Sequence, residues 1–482
     1  MKKEGVAVVW LQNDFRLEDN IALTEGASYQ KMIAVFIWND QEKKHWTLGS
    51  ASKCWLHHTI ESFQKKLANL GSRLVLMKGS PEKNLLLLAK ETKATHILWN
   101  DSHNPIDQDQ KEKVFEALKK TKIKQKSFRG SLLCSKDFLC KKDGSPYLVY
   151  TPFWNNFIKK YQPEVLSKPS SFPEKPTFSE QINCDLKSLN LLPKIPWDKS
   201  ILENWQPGED FAQNKLTLFL KKGILTYSID RDLPSKKGTS KLSPHLHFGE
   251  IHPQRILNKV IKKFGPLERI IDQNVIQFCK EIIWREFSYH LLQHFPKTTN
   301  KPLREKFSAF PWKRNKKFYT AWTKGSTGYP LVDAGMRELW QTGWMHNRVR
   351  MITASFLIKH LNISWQEGAQ WFWDTLVDAD LASNTQGWQW VAGCGADASP
   401  YFRIFNPITQ GEKFDKTGQY IKKWCPELKN LPLEFLNKPW EAPSEVLNKS
   451  KVVLGENYPH PIVDHKTARQ KALWNYEWLQ KK

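Results

Sequence analysis

The pattern of hydrophobic and polar positions divides the chain into two contrasting parts. In residues 1–130, short apolar runs alternate with amphipathic stretches, and these runs read VAVVWL, MIAVFIW, RLVLMKG and HILWN. Runs of that length between helical segments are typical of buried parallel strands. This part therefore predicts a doubly wound α/β domain, in which a nucleotide-like ligand could bind at the carboxyl ends of the strands.

The pattern changes twice further along the chain. Over residues 131–204 the periodicity weakens and prolines punctuate a stretch rich in Ser and Lys, which predicts a long surface linker. From residue 205 strand signals nearly vanish and helical periodicity dominates. The predicted fold is an α/β doubly wound N-terminal domain over 1–130, a linker over 131–204 and an all-α domain over 205–482.

Residues 340–406 of the helical part combine tryptophans with Arg350, Asp378, Asp380 and many Asn and Gln side chains. Buried charge is costly unless something pairs with it, so this mixture is unusual for a plain core. The segment predicts a site for a large, flat molecule with polar edges.

Helical spacing places Asn347 and Met351 on one face, with Arg350 at its margin. Asp378 and Asp380 flank a single residue, so in an extended segment they point opposite ways. One could then meet Arg350 and the other a ligand hydroxyl or amine. For each residue alone, helix packing with a structural ion pair is an equally good interpretation, and only the combination favours a binding site.

Two further groups carry candidate chemistry. Hydroxyl residues in GTSKLSPH precede a predicted helix, where they suit phosphate oxygens, although a simple helix cap is the commoner reason for them. In KEIIWREFSYH, Glu281, Trp284 and Arg285 fall within about one helical turn. The carboxylate and the indole can therefore face one cavity, and a buried tryptophan beside a Glu–Arg ion pair is the alternative.

Charge and composition narrow the classes of partner. The net charge of +24 favours a polyanion such as nucleic acid, and a lysine-rich composition is the plain alternative. Seven cysteines without a CxxC pair argue against disulfides or a zinc site, so no metal is expected. The N-terminal apolar run is too short for a signal peptide, and no stretch reaches membrane-spanning length. We expect a cytoplasmic monomer with neither a membrane nor a protein partner.

Three motifs resemble the flavin-binding core of the photolyase and cryptochrome family: GWMHNRVRM, DADLASNTQGWQW and PYFRIFNP. They are most similar to bacterial class I cyclobutane pyrimidine dimer photolyases, and the resemblance extends from WLQNDFRLEDN to YPHPIVDHKTAR. It implies a deoxyribodipyrimidine photo-lyase acting on UV-damaged DNA. In that activity, fully reduced anionic FAD absorbs blue light, donates an electron to the dimer and recovers it after the ring bonds open.

The resemblance also implies site residues. The FAD-binding set is Tyr227, Thr239, Ser240, Lys241, Leu242, Ser243, Arg285, Arg350, Asp378, Ala379, Asp380 and Asn384. The DNA- and lesion-binding set is Arg231, Glu281, Trp284, Asn347, Arg348, Met351, Trp390 and Gln410. The electron-transfer chain is Trp312, Trp365 and Trp388. Glu281 and Asn384 also take catalytic roles, hydrogen bonding to the dimer and keeping the flavin as the reduced anion, while Trp284 stacks on a flipped-out dimer.

The resemblance leaves alternatives open. Ile106 and Asp107 stand where folate binders carry an Asn–Glu pair, so a second, antenna chromophore could be folate, deazaflavin, another flavin or none. A cryptochrome-type blue-light photoreceptor without repair activity is the main functional alternative. A repair enzyme restricted to single-stranded DNA, as in the DASH branch, is a third. Asn347 and Met351 stand where the (6-4) photolyases need paired histidines.

Overall fold

The computed structural model describes residues 2–39, 46–164, 168–169 and 171–482. The chain forms two compact units. Unit 1 comprises Met1–Tyr147, Thr151–Lys221 and Ser240–His294, and unit 2 comprises Leu148–Tyr150, Lys222–Thr239 and Phe295–Lys482. Residues 1–130 thus belong wholly to unit 1, whereas the stretch from residue 205 onward contributes to both units.

Unit 1 contains a five-stranded parallel sheet in the order β3-β2-β1-β4-β5. The strands are β1 (Lys3–Leu11), β2 (Tyr29–Trp38), β3 (Leu74–Lys78), β4 (His96–Asn100) and β5 (Lys124–Phe128). The four apolar runs of the sequence form β1 to β4, which confirms the predicted α/β domain. Strand β5, KQKSF, carried no such signal because it is an edge strand with exposed polar side chains.

Eleven α-helices are described in the chain up to residue 294, and the first four contact strands of the sheet. They are α1 (Ile21–Gly26), α2 (Ser50–Asn69), α3 (Pro81–Thr92), α4 (Pro105–Lys119), α5 (Tyr150–Lys160), α6 (Lys199–Asn204), α7 (Glu209–Lys221), α8 (Tyr227–Asp230), α9 (Ser243–His247), α10 (Pro253–Phe264) and α11 (Gln273–His294). Val8, Val35 and Ile97 of the strands pack with Leu85 and Leu88 of α3 in one buried core. Burial of these aliphatic side chains is the main force that holds the helix on the sheet.

The segment 131–204 is more than a plain connector. Phe153 and Phe157 of α5 are 1 % and 0 % exposed, and Ile201 of α6 is 2 % exposed. The residues that the structure describes between these two helices are largely irregular, with short 3-10 turns at Glu180–Ile182 and Leu186–Leu189. Buried anchors at each end of an irregular stretch fix its path along unit 1.

The regular elements that the structure describes in unit 2 are helical, as predicted. Those after residue 294 are α12 (Lys316–Thr323), α13 (Pro330–Thr342), α14 (Asn347–Ser355), a π-helical turn (Phe356–His360), α15 (Trp365–Thr375), α16 (Leu381–Ala392), α17 (Pro407–Phe414), α18 (Gln419–Trp424), α19 (Leu433–Leu436), α20 (Ser444–Ser450) and α21 (His465–Lys481). Further 3-10 turns of unit 2 occur at Gly223–Thr226, Pro296–Thr299, Glu305–Ala309, Pro426–Leu428 and Pro439–Glu441, and unit 1 has one at Leu267–Arg269. Among the residues described, no helix is long and apolar enough to cross a bilayer.

Candidate cofactor site

A cavity in unit 2 lies between α14, α15, α16 and the turn that precedes α16. Its walls are formed by Asn347, Arg350, Met351, Ala354, Phe372, Leu376, Asp378, Ala379, Asp380, Ser383, Asn384, Gly387, Trp388 and Val391. Its volume is about 170 Å³, below the range of about 300–1,000 Å³ typical of pockets that bury a whole drug-sized ligand. The structure thus brings together eight of the residues selected from the sequence: Asn347, Arg350, Met351, Asp378, Ala379, Asp380, Asn384 and Trp388.

An ion pair forms part of the cavity wall. Arg350 Nη2 donates to Asp378 Oδ1 at 3.0 Å and to Oδ2 at 2.8 Å. Arg350 Nε donates to the carbonyl of Met345 at 2.7 Å, which fixes the plane of the guanidinium. The Asp378 side chain is 3 % exposed and that of Arg350 is 24 % exposed, so the carboxylate is shielded from water and is paired with the guanidinium.

Asp380 starts α16. Its backbone is extended, and Oδ1 accepts a hydrogen bond from the backbone N–H of Ser383 at 2.8 Å. A carboxylate at this position satisfies an otherwise unbonded donor of the first helical turn. Asp380 therefore helps to set the direction of α16, which carries Asn384, Gly387 and Trp388 along the cavity.

The side-chain amide of Asn384 is hydrogen-bonded to the protein through its nitrogen. Its Nδ2 donates to the carbonyl of Ala369 at 3.0 Å, and no donor in the described part of the chain contacts its Oδ1. The amide oxygen can therefore accept a hydrogen bond from an N–H group of a molecule in the cavity. A neutral amide does so without adding charge.

Gly387 leaves room on the cavity side of α16. A Cβ atom built on Gly387 meets nothing within 4 Å, although this residue lines the cavity. By contrast, a Cβ on Gly368 of α15 would lie 2.1 Å from the Trp388 ring. Gly368 is needed for the packing of Trp388, whereas the missing side chain of Gly387 widens the space for a ligand.

A chain of aromatic rings leads from the cavity to the surface. Trp388 lies 6.2 Å from Trp322 between ring centroids, and Trp322 lies 6.1 Å from Tyr319. Tyr319 is 6.5 Å from Trp371, which stacks on Trp340 at 6.0 Å. Trp340 is 67 % exposed. The sequence did not single out Trp322, because among many tryptophans only tertiary packing shows which rings are neighbours.

The other two members of the predicted tryptophan chain have different surroundings. Trp365 is 2 % exposed at the start of α15. Trp312 lies in the irregular stretch before α12, with its ring 4.2 Å from that of Phe310. Both belong to unit 2 with Trp388.

The predicted lesion residues on α11 belong to unit 1. Glu281 Oε1 accepts a hydrogen bond from Gln277 Nε2 at 2.7 Å, and the Trp284 ring packs edge-on at 5.7 Å from Phe287. Arg285 donates to the carbonyl of Ser131 at 2.9 Å and pairs with Glu286 at 3.2 Å. A Glu–Arg pair on this helix was the alternative interpretation of the motif, and the pair formed by Arg285 involves Glu286, which was not a candidate residue.

Burial raises the pKa of Glu286 to about 7, and Arg285 opposes that shift. A carboxyl whose folded pKa is raised stabilises the fold at low pH and loses that contribution as pH rises through about 7. We therefore expect the melting temperature of the wild type to fall relative to Glu286→Gln between pH 5 and pH 8. Thermal melts of both proteins across this range measure the difference. Parallel curves would contradict the raised pKa.

The predicted phosphate-binding run is divided between the units. Thr239 belongs to unit 2, with Tyr227 and Arg231, whose guanidinium lies 5.6 Å from the Tyr227 ring. Ser240, Lys241, Leu242 and Ser243 belong to unit 1. Lys241 has a left-handed backbone with φ of 55° and its Nζ lies 5.1 Å from the Trp205 ring. Leu242 is buried at 2 % exposure, and Ser243 begins α9.

The remaining DNA-binding candidates lie in unit 2. Arg348 Nη2 donates to Asp232 at 2.7 Å, and its guanidinium lies 4.6 Å from the Phe414 ring. Gln410 is half-buried on α17, and Trp390 is half-buried on α16. Arg348 is thus already paired, so a phosphate would have to share it with Asp232 or replace that carboxylate.

Family models and relatives agree on the class of this protein. The model described as "DNA photolyase" matches residues 7–175, and "FAD binding domain of DNA photolyase" matches residues 278–478. A deoxyribodipyrimidine photo-lyase of Agrobacterium fabrum is 45 % identical over 99 % of both chains. Cryptochrome-1 of Arabidopsis thaliana is 34 % identical over 98 % of this chain and 71 % of its own.

A solved structure extends this agreement to the whole fold. A bacterial class III photolyase from Agrobacterium tumefaciens superposes with a TM-score of 0.93, at 44 % identity over 100 % of this chain and 99 % of its own. The chain belongs to the photolyase and cryptochrome family and carries its FAD-binding domain. The predicted family is therefore confirmed, whereas the placement in class I finds no support in this similarity to a class III enzyme.

Proposed function

We propose that the protein repairs cyclobutane pyrimidine dimers in DNA by electron transfer from photoexcited, reduced FAD. The main support is the cavity of unit 2, where Arg350, Asp378 and Asn384 lie together inside the matched FAD-binding domain. Full-length similarity to photolyases supports the choice of reaction. The proposed substrate is UV-damaged DNA carrying the dimer, and the proposed enzyme is a deoxyribodipyrimidine photo-lyase.

The residues of the cavity fit a flavin in three respects. Gly387 leaves space that a side chain would fill, the Asn384 oxygen can accept an N–H, and Trp388 offers an oxidisable indole in the wall. When bound, FAD supplies the electron chemistry. Asn384 favours the reduced anion because a neutral amide adds no charge and is a poor proton donor. The guanidinium of Arg350, held by the buried carboxylate of Asp378, helps to hold a polar edge of the flavin.

The repair reaction can be tested directly. Purified, photoreduced protein is mixed with an oligonucleotide that contains a thymine dimer and is exposed to blue light, and thymine absorbance is followed. We expect the absorbance to return with illumination and to stay unchanged in the dark. Absence of recovery while the flavin remains reduced would contradict a lyase.

A cryptochrome-type photoreceptor is the second candidate, and the 34 % identity to an Arabidopsis cryptochrome favours it. A photoreceptor and a photolyase both need FAD and an electron path to it. The same assay separates them, because a photoreceptor reduces its flavin in light and leaves the dimer intact.

Trp284, Glu281, Asn347 and Met351 are proposed to form the lesion contacts. We expect Trp284→Ala to weaken binding of dimer-containing DNA by about 1–3 kcal/mol, the usual value of one base–aromatic stack, and to leave undamaged DNA nearly unaffected. Binding titrations with matched damaged and undamaged duplexes measure this. Trp340→Ala, which removes an exposed tryptophan of unit 2, is the control. Equal losses for both duplexes would place Trp284 outside the lesion site.

Arg231, Arg348, Trp390 and Gln410 are proposed as further DNA contacts. We expect Arg348→Gln to reduce the slope of log affinity against log salt by about one unit, since one phosphate contact is lost. Asp232→Asn breaks the pair with Arg348 and should instead strengthen binding at low salt. DNA titrations at several salt concentrations test both variants. Unchanged slopes would remove Arg348 from the phosphate contacts.

Photoreduction is proposed to use Trp388, Trp365 and Trp312, as the family motifs imply. The contact of Trp388 with Trp322 offers a second route to the surface at Trp340. Both routes begin at Trp388, the member that lines the cavity. The rates of photoreduction after replacement of Trp365 and of Trp322 show how much each route contributes.

Several further features are proposed from the sequence. The proposed domains are 1–130, 131–204 and 205–482, and the α/β domain over 1–130 is the proposed antenna domain. Tyr227 and the Thr239–Ser243 run are proposed to bind the phosphates of FAD. The antenna is folate, deazaflavin or flavin where one is bound. Within the family, 44 % identity favours class III over class I. We propose a monomer that acts in the cytoplasm.

A further inference from the structure

Three side chains able to ligate metal meet in unit 1, and none of them is among the residues assigned above. Cys54 and His58 lie four positions apart on α2 and so share one face of the helix. Asp198 immediately precedes α6, 144 positions after Cys54. Their sulfur, nitrogen and carboxylate ligand atoms all lie within 4.8 Å of one another.

The cluster is buried. Cys54 is 0 % and Asp198 is 8 % exposed, and the His58 side chain is 22 % exposed. Cys54 Sγ lies 3.8 Å from Asp198 Oδ2, at the distance of a thiol donating to a carboxylate. His58 Nε2 is shielded from solvent and has no hydrogen-bond partner among the residues described. A buried ring nitrogen without a partner is costly, and a ligand would relieve that cost.

The other ring nitrogen of His58 has a carboxylate beside it. Nδ1 lies 3.6 Å from Glu61 Oε2, one turn further along α2. A carboxylate on the distal nitrogen is the usual partner of a metal-bound histidine, because it fixes the ring and makes the ligating nitrogen more basic. His58 thus has the surroundings of a metal-binding histidine, and Nε2 is the nitrogen that would bind the metal.

We propose that Cys54, His58 and Asp198 bind a zinc ion, with water as the fourth ligand. Thiolate and imidazole are preferred zinc ligands, and three protein ligands with one water is a common coordination. The Cys54 thiol loses its proton to solvent when it binds the metal, since the thiolate is the ligand. Thiolate and Asp198 carboxylate then balance the two positive charges, so the buried assembly is neutral.

The distances require a small contraction. Bonds of about 2.0–2.3 Å in a tetrahedron place ligand atoms about 3.3–3.8 Å apart. The separation of Cys54 and Asp198 already matches at 3.8 Å. The widest separation, at most 4.8 Å, must shrink by about 1 Å, which rotation of the half-buried His58 side chain can provide.

The expected effect is structural. Asp198 belongs to the segment 131–204, so the ion would tie that segment to α2 within unit 1. A metal that binds only the folded chain stabilises it by mass action. The inference does not depend on the photochemistry proposed above. It also revises the expectation of no metal, which rested on the lack of closely spaced cysteines.

The test uses the full-length flavoprotein, loaded with Zn²⁺ and dialysed. We expect a single equivalent of retained zinc by elemental mass spectrometry, and an X-ray absorption spectrum with one sulfur neighbour at about 2.3 Å. Cys54→Ala and His58→Gln should each lose the zinc. Cys279→Ala, which removes another fully buried cysteine on α11, should keep it.

A graded variant sharpens the test. Glu61→Gln removes only the charge beside Nδ1 and should weaken zinc binding by about 10- to 100-fold. The melting temperature should rise with zinc in the wild type and not in His58→Gln, a position exposed enough to tolerate the change. Retention of zinc by Cys54→Ala, a spectrum without sulfur, or no retained zinc in the wild type would each overturn the proposal. Cys54 and Asp198 would then form only a thiol–carboxylate hydrogen bond.

Discussion

Gly387→Leu is expected to give a folded protein that no longer retains flavin. The new side chain meets no protein atom near its Cβ and so extends into the cavity that Gly387 lines. Gly387→Ala should weaken flavin binding by about 10- to 100-fold, because overpacking by one carbon costs about 1–3 kcal/mol. Flavin absorbance after gel filtration and titration of the stripped protein with FAD measure both effects.

The same replacements should not harm the fold of the flavin-free protein. Gly387 lies inside α16, where alanine is favoured over glycine by about 1 kcal/mol. Flavin-free Gly387→Ala should therefore melt at or above the wild-type temperature. Gln341→Leu, which places a leucine on the exposed end of α13, is the matched control and should bind flavin normally. Normal flavin binding by Gly387→Leu would exclude this cavity as the cofactor site.

Trp388→Phe is expected to abolish most of the photoreduction of the flavin while leaving repair by chemically reduced protein intact. Trp388 lines the cavity and contacts Trp322, so both proposed electron routes pass through it. Phenylalanine keeps most of the packing against Phe372 and Gly368 but is far harder to oxidise. Flash photolysis of oxidised protein and the thymine-dimer assay after dithionite reduction measure the two properties.

Replacements of tryptophans beyond Trp388, singly and together, separate the two proposed electron routes. If Trp365 and Trp312 carry the electron, Trp365→Phe should slow photoreduction nearly as much as Trp388→Phe. If the rings from Trp322 to Trp340 also carry electrons, only Trp365→Phe combined with Trp322→Phe should slow photoreduction as much as Trp388→Phe does. Rapid photoreduction in Trp388→Phe would show that neither route starts at this residue.

The sequence was sufficient where one local pattern decided the structure. Apolar runs identified β1 to β4 because a strand buried on both faces must be apolar throughout. It failed for β5, whose polar residues form an edge strand only because β4 offers a partner. Helical spacing predicted that Arg350 could meet one of Asp378 and Asp380, and the structure shows that its partner is Asp378.

Contacts between distant segments could not be predicted in this way. The pairing of Arg348 with Asp232 spans 116 positions, and that of Arg285 with Glu286 joins neighbours whose orientation depends on the carbonyl of Ser131. Nothing local distinguishes Trp322 from other tryptophans, or Asp198 from other aspartates. These roles depend on which surfaces the packed helices bring face to face.

By itself, therefore, the sequence determined the α/β and helical halves, the family and eight of the residues that line the cavity of unit 2, because hydrophobic periodicity and long motifs are local properties of the chain. The tertiary structure alone decided which arginines are already neutralised, which rings form a path to the surface, and where Cys54, His58 and Asp198 meet. The physical reason is that burial, charge pairing and ring contact are set by distances in space, and residues far apart in the chain reach those distances only after the core has packed.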